Sequence, residues 1–166
     1  RHGDAGRLEQ GGVEVLQADL RVLRAARGEG PRPADDEGDV EDGVVDRLAA
    51  EAEPGETLIA GPVDLSRTNY NDSFFYYLFP ELQPGTRYIE MEPGIANTEG
   101  SGLADELRSN DWLIVSRSSD LWNEPNDSVI PGSQEPNEVV ADQYCLVEDA
   151  GSFQLLRRCR DAPDGS

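Results

Sequence analysis

Hydrophobic spacing divides the chain into segments of different character. Val40, Val44, Leu48 and Ala52 recur every four residues, which places them in one stripe of a helix. Asp39 is suited to cap that helix, with Asp42 in its first turn, and "EPGE" (53–56) ends it with Pro54 and Gly55. The short apolar run "TLIAG" (57–61) reads as a buried strand. After the loop "PVDLS", Asp72 or Ser73 opens a helix that runs to about Phe79, with Phe75, Leu78 and Phe79 inward and one or two tyrosines outward. Pro80 and "QPGT" (83–86) stop it. "RYIEME" (87–92) reads as the next strand. Ser101 then caps a helix through Leu103, Ala104 and Leu107, and "DWLIVSR" (111–117) is a third strand.

Beyond Arg117 the pattern changes. Residues 118–137 carry three prolines and many polar groups and read as a long loop. "EVVADQYCLVED" (138–149) and "SFQLLRRC" (152–159) read as two antiparallel strands joined by the glycine-bearing turn "DAGS". At the other end, 13–26 mixes periods of two and 3.6 and suggests a short strand followed by a helical turn, and 28–39 is a Gly/Pro/acid linker. Three helix–strand repeats predict a three-layer α/β fold. Its sheet would be mostly parallel, with helices packed on it and an antiparallel hairpin at one edge. The expected organisation is a loose acidic, Gly-rich segment over 1–39, a folded domain over 40–160 and a disordered tail over 161–166.

Composition sharpens this reading. The 166 residues include 34 acids against 14 cations, all arginine, for a net charge of −20. With no basic stripe to displace counterions, nucleic acid is excluded as a partner, as is electrostatic docking on anionic lipid. The acid load fits a solubility or high-salt adaptation, or cation binding; no D-x-D-x-D-G loop occurs. No apolar run approaches the ~18 residues of a membrane span. The chain begins at Arg1, which suggests a piece of a longer protein. Cys145 and Cys159 flank the predicted hairpin, where a single bridge and two free thiols are both open.

Catalytic patterns are sparse. The single histidine, His2, lies in the loose end, which disfavours Ser-His-Asp and Cys-His machinery. Neither a dinucleotide nor a P-loop fingerprint occurs, nor does a zinc-spaced Cys/His cluster, so no cofactor and no metal is expected. Carboxylate pairs are too many in this chain to mark a glycosidase.

Binding groups gather instead in the loops expected at the carboxyl ends of the strands, 61–72, 92–102 and 116–127. They supply Asp64, Arg67, Asn69, Tyr70, Asn71, Asp72, Glu92, Asn97, Arg117, Asp120, Trp122, Glu124 and Asn126. Carboxylates and amides beside an aromatic face suit a polyhydroxylated ligand. The same residue types also make ordinary turns and caps. Arg67 reads either as an anion or sugar contact or as the ion-pair partner of Asp64 or Asp72. The triplet "NDS" at 71–73 and 126–128 matches a glycosylation acceptor, a match that chance supplies readily in such a chain.

"GPVDLSRTNYNDSFFYYLFPELQPGTRYIEMEPGIANTEGSGLADELRSNDWLIVSR", with "WNEPN" and "PNEVV", resembles the carboxy-terminal soluble region of actinobacterial polytopic membrane proteins similar to GT-C glycosyltransferases. The resemblance spans about residues 56–159, and R-T-N-Y-N-D with the following aromatics is its most specific part. It implies an extracytoplasmic domain at the cell membrane, tethered by helices before Arg1. Its implied partners are the membrane-embedded part of the same chain and a glycan or polyprenyl-phosphate-linked sugar. Catalysis would then belong to the membrane part, so no catalytic residue is assigned to this piece. An oxidising location also favours a Cys145–Cys159 disulfide. The expected role is accessory, helping to bind or orient the sugar substrate. The rivals are a purely structural or protein-interaction domain and, less favoured, a two-carboxylate hydrolase.

Overall fold

The computed structural model describes residues 39–68, 71–117 and 130–159. The strand-and-turn expectation for 13–26, the linker over 28–38 and the tail lie outside them. Within them the elements run α1 (Asp39–Glu51), β1 (Thr57–Pro62), α2 (Phe75–Leu78), β2 (Gln83–Pro84), α3 (Leu103–Ser109), β3 (Trp112–Ser116), α4 (Glu135–Gln143), β4 (Tyr144–Ala150) and β5 (Phe153–Arg158). This is an α/β fold around one five-stranded sheet of order β2-β1-β3-β5-β4.

The sheet is mixed rather than mostly parallel. β1 pairs in parallel with β2 and β3, while β5 runs antiparallel to both β3 and β4. The expected strand over 87–92 does not form. Its chain turns at Tyr88–Met91, where the Met91 amide donates to the Tyr88 carbonyl at 3.0 Å and Met91 adopts a positive φ of 50°. That turn leaves the Met91 side chain fully in the core. The parallel edge is instead the two-residue β2. Pro84 has no amide to donate, and Gly85 supplies the next ladder bond to the Leu58 carbonyl at 2.8 Å.

The second correction concerns 138–143, expected as the first half of a strand; together with 135–137, the end of the expected loop, it forms a helix over Glu135–Gln143. Pro136 sits in its first turn, where a missing N–H costs nothing, beside Glu135 and Glu138, whose charges favour a helix start. Pro136, Val139 and Gln143 are buried at helical spacing. Val139 and Val140 pack with Leu103 and Leu107 of α3, so tertiary burial overrides the β preference of the two valines. β4 then begins directly at Tyr144.

Side-chain alternation along β1 and β3 splits the core between two faces. Ile59, Leu113 and Val115 point to one, where α3, α4, Leu65 and Met91 cover them. Leu58, Ala60, Trp112 and Ile114 point to the other. There Phe75 of α2 meets Phe153 edge to face at 5.3 Å, and Gly43 of α1 approaches Ala150. The aromatic run is therefore mainly core: Phe75 and Phe79 are buried, Leu78 is half-buried and Tyr77 is exposed. α2 is one turn long and carries no side-chain cap from its N-terminal residue. Because β2 is so short, the outer edge of β1 is open beyond Leu58. The Tyr76 hydroxyl closes it by accepting the Ala60 amide at 3.0 Å.

The amino ends of β1 and β3 are fixed by side chains. Thr57 donates its amide and hydroxyl to Asp111 Oδ2 (2.8 and 2.9 Å), and the Asp111 amide returns a bond to Thr57 Oγ1 at 2.9 Å. Glu56 accepts from Trp112 Nε1 at 2.7 Å and from Arg157 at 3.1 Å, with the guanidinium lying over the indole. Cys145 and Cys159 are bonded across β4 and the end of β5, Cα to Cα 5.3 Å. No helix among the described residues is long and apolar enough to cross a membrane.

Candidate functional site

β1 and β3 are parallel neighbours and end together, so the loops after Pro62 and Ser116 leave from the same edge of the sheet. The Val63 amide still donates to the Ser116 carbonyl at 2.9 Å, after which the chain turns away. Asp64 is the first polar group beyond the turn. Its Oδ1 accepts from the Ser66 amide (3.0 Å), the Ser66 hydroxyl (2.7 Å) and Asn137 Nδ2 (2.7 Å). Asn137 in turn accepts the Leu65 amide at 2.8 Å. Burial pushes the Asp64 carboxyl up, but the bonds from Ser66 and Asn137, with the charge of Arg67, outweigh it and hold the group below its ordinary value.

Ser66 is the hub. Its carbonyl accepts from Asn97 Nδ2 at 2.9 Å and from the Gly132 amide at 2.7 Å. Asn97, 2% exposed, also accepts the Gly94 amide at 2.8 Å and takes the Ser133 amide on its own carbonyl at 2.8 Å. Three chain segments, 64–66, 94–97 and 132–137, are thus laced together. Gly132 is required there: a Cβ would lie 1.9 Å from the Asn97 carbonyl oxygen. Asp64 and Asn97, both expected to face a ligand, are engaged in this lacing. Asn137, Ser66 and Gly132 were not singled out from the sequence. Asn137 does fall within the "PNEVV" stretch, as an amide in the first turn of α4.

The remaining expected residues separate. Arg67 is exposed, and its positive charge helps hold Asp64 ionised. Asn71 donates Nδ2 to the Ile89 carbonyl, while its Oδ1 is buried without a hydrogen-bond partner. With its amide nitrogen engaged, Asn71 is poorly placed to accept a glycan despite its N-D-S triplet. Thr68, 1% exposed, likewise holds Oγ1 without a partner. Asp72 is 8% exposed, and its carbonyl accepts the Phe75 amide at the start of α2. Glu92 is exposed and uses its carbonyl to turn the chain at Ile95 and Ala96. Arg117 pairs with Asp149 at 3.0 Å and with the Gly151 carbonyl, which ties it to the β4–β5 turn. Asn69, Tyr70, Asp120, Trp122, Glu124 and Asn126 lie outside the described residues.

A cleft of about 650 Å³ opens between 94–99 and 130–135, beside the laced loops. Among the described residues no group of three or more His, Cys, Asp or Glu is arranged to hold a metal ion. Comparison with protein-family models, curated proteins and solved structures finds no significant match to the chain.

Proposed function

We propose that the chain is a soluble extracytoplasmic accessory domain of a membrane-bound, glycosyltransferase-like protein. In this reading it helps bind or orient a glycan or polyprenyl-phosphate-linked sugar and performs no catalysis itself. The observation that carries the reading is that two buried side-chain oxygens without partners, Thr68 Oγ1 and Asn71 Oδ1, fall in the segment that begins with the exposed Arg67; among the described residues Asn110 Oδ1 and Gln143 Oε1 share that state elsewhere in the fold. Buried polar atoms in a native fold are almost always bonded, so these two oxygens call for a partner; because both are closed to solvent, a ligand would meet them only with the loop opened. Sugar hydroxyls suit that role, and Arg67 suits a linked phosphate. These groups belong to the R-T-N-Y-N-D segment, the most specific part of the family resemblance. Asn69, Tyr70, Trp122 and Glu124 stay in the proposed polar face on sequence grounds alone. The Cys145–Cys159 bridge supports an oxidising compartment.

A purely structural or protein-interaction role is the second reading. It is favoured by the engagement of Asp64 and Asn97 in lacing the loops. Amide chemical shifts separate the two. The probes are mannose, galactose, arabinose and N-acetylglucosamine oligosaccharides and a farnesyl-phosphate-linked mannose. The glycan reading expects shifts at Thr68 and Asn71 that weaken in Arg67→Ala. Silence to every probe supports the structural reading.

A further inference from the structure

Among the described residues Met91 is the one non-glycine with a positive φ, 50°. A side chain bearing a Cβ stays in that left-handed region only where its surroundings outweigh the strain, and such residues gather at binding sites and switches. Here the counterweight is burial. The Met91 side chain is fully buried in the same core cluster as Leu65, and both lie against Gly61 of β1, where an added Cβ would meet Leu65 Cδ2 at 3.2 Å and Met91 Cε at 3.3 Å.

The backbone around Met91 is fixed on both sides of a short tip. Upstream, the Thr86 hydroxyl donates to Glu106 at 2.6 Å and accepts the Tyr88 amide at 3.0 Å, and the Tyr88 hydroxyl donates to the Ser101 carbonyl at 2.7 Å. Downstream, the Glu92 carbonyl accepts the Ile95 and Ala96 amides, and the Gly94 amide donates to Asn97. Between these supports stand Ile89, Glu90 and Met91. Two contacts seat this tip: Met91 beside Leu65, and Asn71 Nδ2 donating to the Ile89 carbonyl. They fall on either side of Thr68, so the tip is seated on both flanks of the segment that carries the two oxygens without partners.

We propose that the tip 89–91 is a cover that opens to admit the sugar. The proposal rests on the glycan reading and supplies the opening that the closed Thr68 and Asn71 oxygens require. On opening, the Met91 side chain leaves the core, its backbone relaxes out of the left-handed region and the Ile89 carbonyl releases Asn71. The Asn71 amide then presents a donor and an acceptor together, which suits two neighbouring sugar hydroxyls. Backbone strain offsets part of the gain from burying Met91, so the tip opens without the sheet.

Met91 is the chain's single methionine, so the oxygen that hydrogen peroxide adds to it, read by intact mass, reports its exposure. In the wild-type full chain the oxidation rate should stay nearly flat with urea below the unfolding transition, as an opening that exposes little surface requires. A rate that climbs with urea along the slope of global unfolding overturns the proposal. Any oligosaccharide, or farnesyl-phosphate-linked mannose, that shifts Thr68 and Asn71 should at saturation raise the oxidation rate at least about tenfold, because a ligand bound only by the open form draws the population to it. Met91→Ala keeps the strained backbone but loses most of the anchor, so its apparent affinity for that probe should rise about tenfold. Shifts at Thr68 and Asn71 with Met91 as protected as before, or an unchanged affinity in folded Met91→Ala, overturn the cover and leave the glycan reading standing. Silence at Thr68 and Asn71 to every probe overturns the glycan reading and the cover with it.

Discussion

Replacing Asn97 by alanine should unfold the laced loops before it touches any ligand. The side chain is 2% exposed and makes two hydrogen bonds, Nδ2 to the Ser66 carbonyl at 2.9 Å and Oδ1 from the Gly94 amide at 2.8 Å. Each such bond contributes about 1 kcal/mol net, and a buried partner left unpaired raises the cost. The Ser66 carbonyl keeps its bond from Gly132, and Gly94 is exposed enough to find water, so the excess is small. The expected loss is therefore ~2–3 kcal/mol, a fall in Tm of roughly 6–15 °C for a domain of this size. Urea unfolding followed by circular dichroism measures it. Asn97→Asp sharpens the test, because it keeps the acceptor for Gly94 but sets a carboxylate against the Ser66 carbonyl. Its folded-state pKa is then raised, so its deficit relative to wild type should be small below pH ~4 and grow as pH rises. If Asn97→Ala costs less than about 0.5 kcal/mol while abolishing glycan-induced shifts, Asn97 is a ligand contact and the lacing argument is wrong.

Other consequences are as direct. Gly132→Ala should cost ~2–3 kcal/mol by overpacking against the Asn97 carbonyl, whereas Gly43→Ala, with Ala150 at an ordinary 3.6 Å, should gain up to ~1 kcal/mol from helix propensity; paired urea midpoints check both. Replacing Cys145 and Cys159 together by serine should lower stability by ~2–3 kcal/mol, because the bridge closes a loop of 14 residues in the unfolded chain; an unchanged midpoint after reduction would refute this. Burial pushes the Tyr76 and Tyr144 hydroxyls up to about 12. The unfolded chain loses those protons near the ordinary tyrosine value, so stability should be full below pH ~10 and fall between about 10 and 12, with Tyr76→Phe flattening part of that slope.

Much of the fold is legible in local pattern. The four-residue stripe of α1, the apolar runs of β1 and β3 and the glycine turn before β5 each state their structure within a few residues. The failures occur where tertiary contacts decide. Over 87–92 the chain turns to bury Met91, which no period in six residues reveals. Over 138–143 two valines suggested a strand, but Pro136 and the fit of Val139 against α3 made a helix. The candidate site shows the same division. Position after β1 draws attention to 64–72, and strand order places that loop at the carboxyl edge of the sheet. Which polar groups are engaged and which are left open depends on partners 31 and 73 residues away, Asn97 to Ser66 and Asn137 to Asp64, and only the folded chain brings these together.

The most direct test of the account is an amide-shift titration of the wild-type chain with farnesyl-phosphate-linked mannose and the neutral oligosaccharides. The account predicts saturable shifts at Thr68 and Asn71 for at least one probe, reduced in Arg67→Ala while Tm is unchanged. Saturable shifts confined to other regions, or none with any probe, would contradict it.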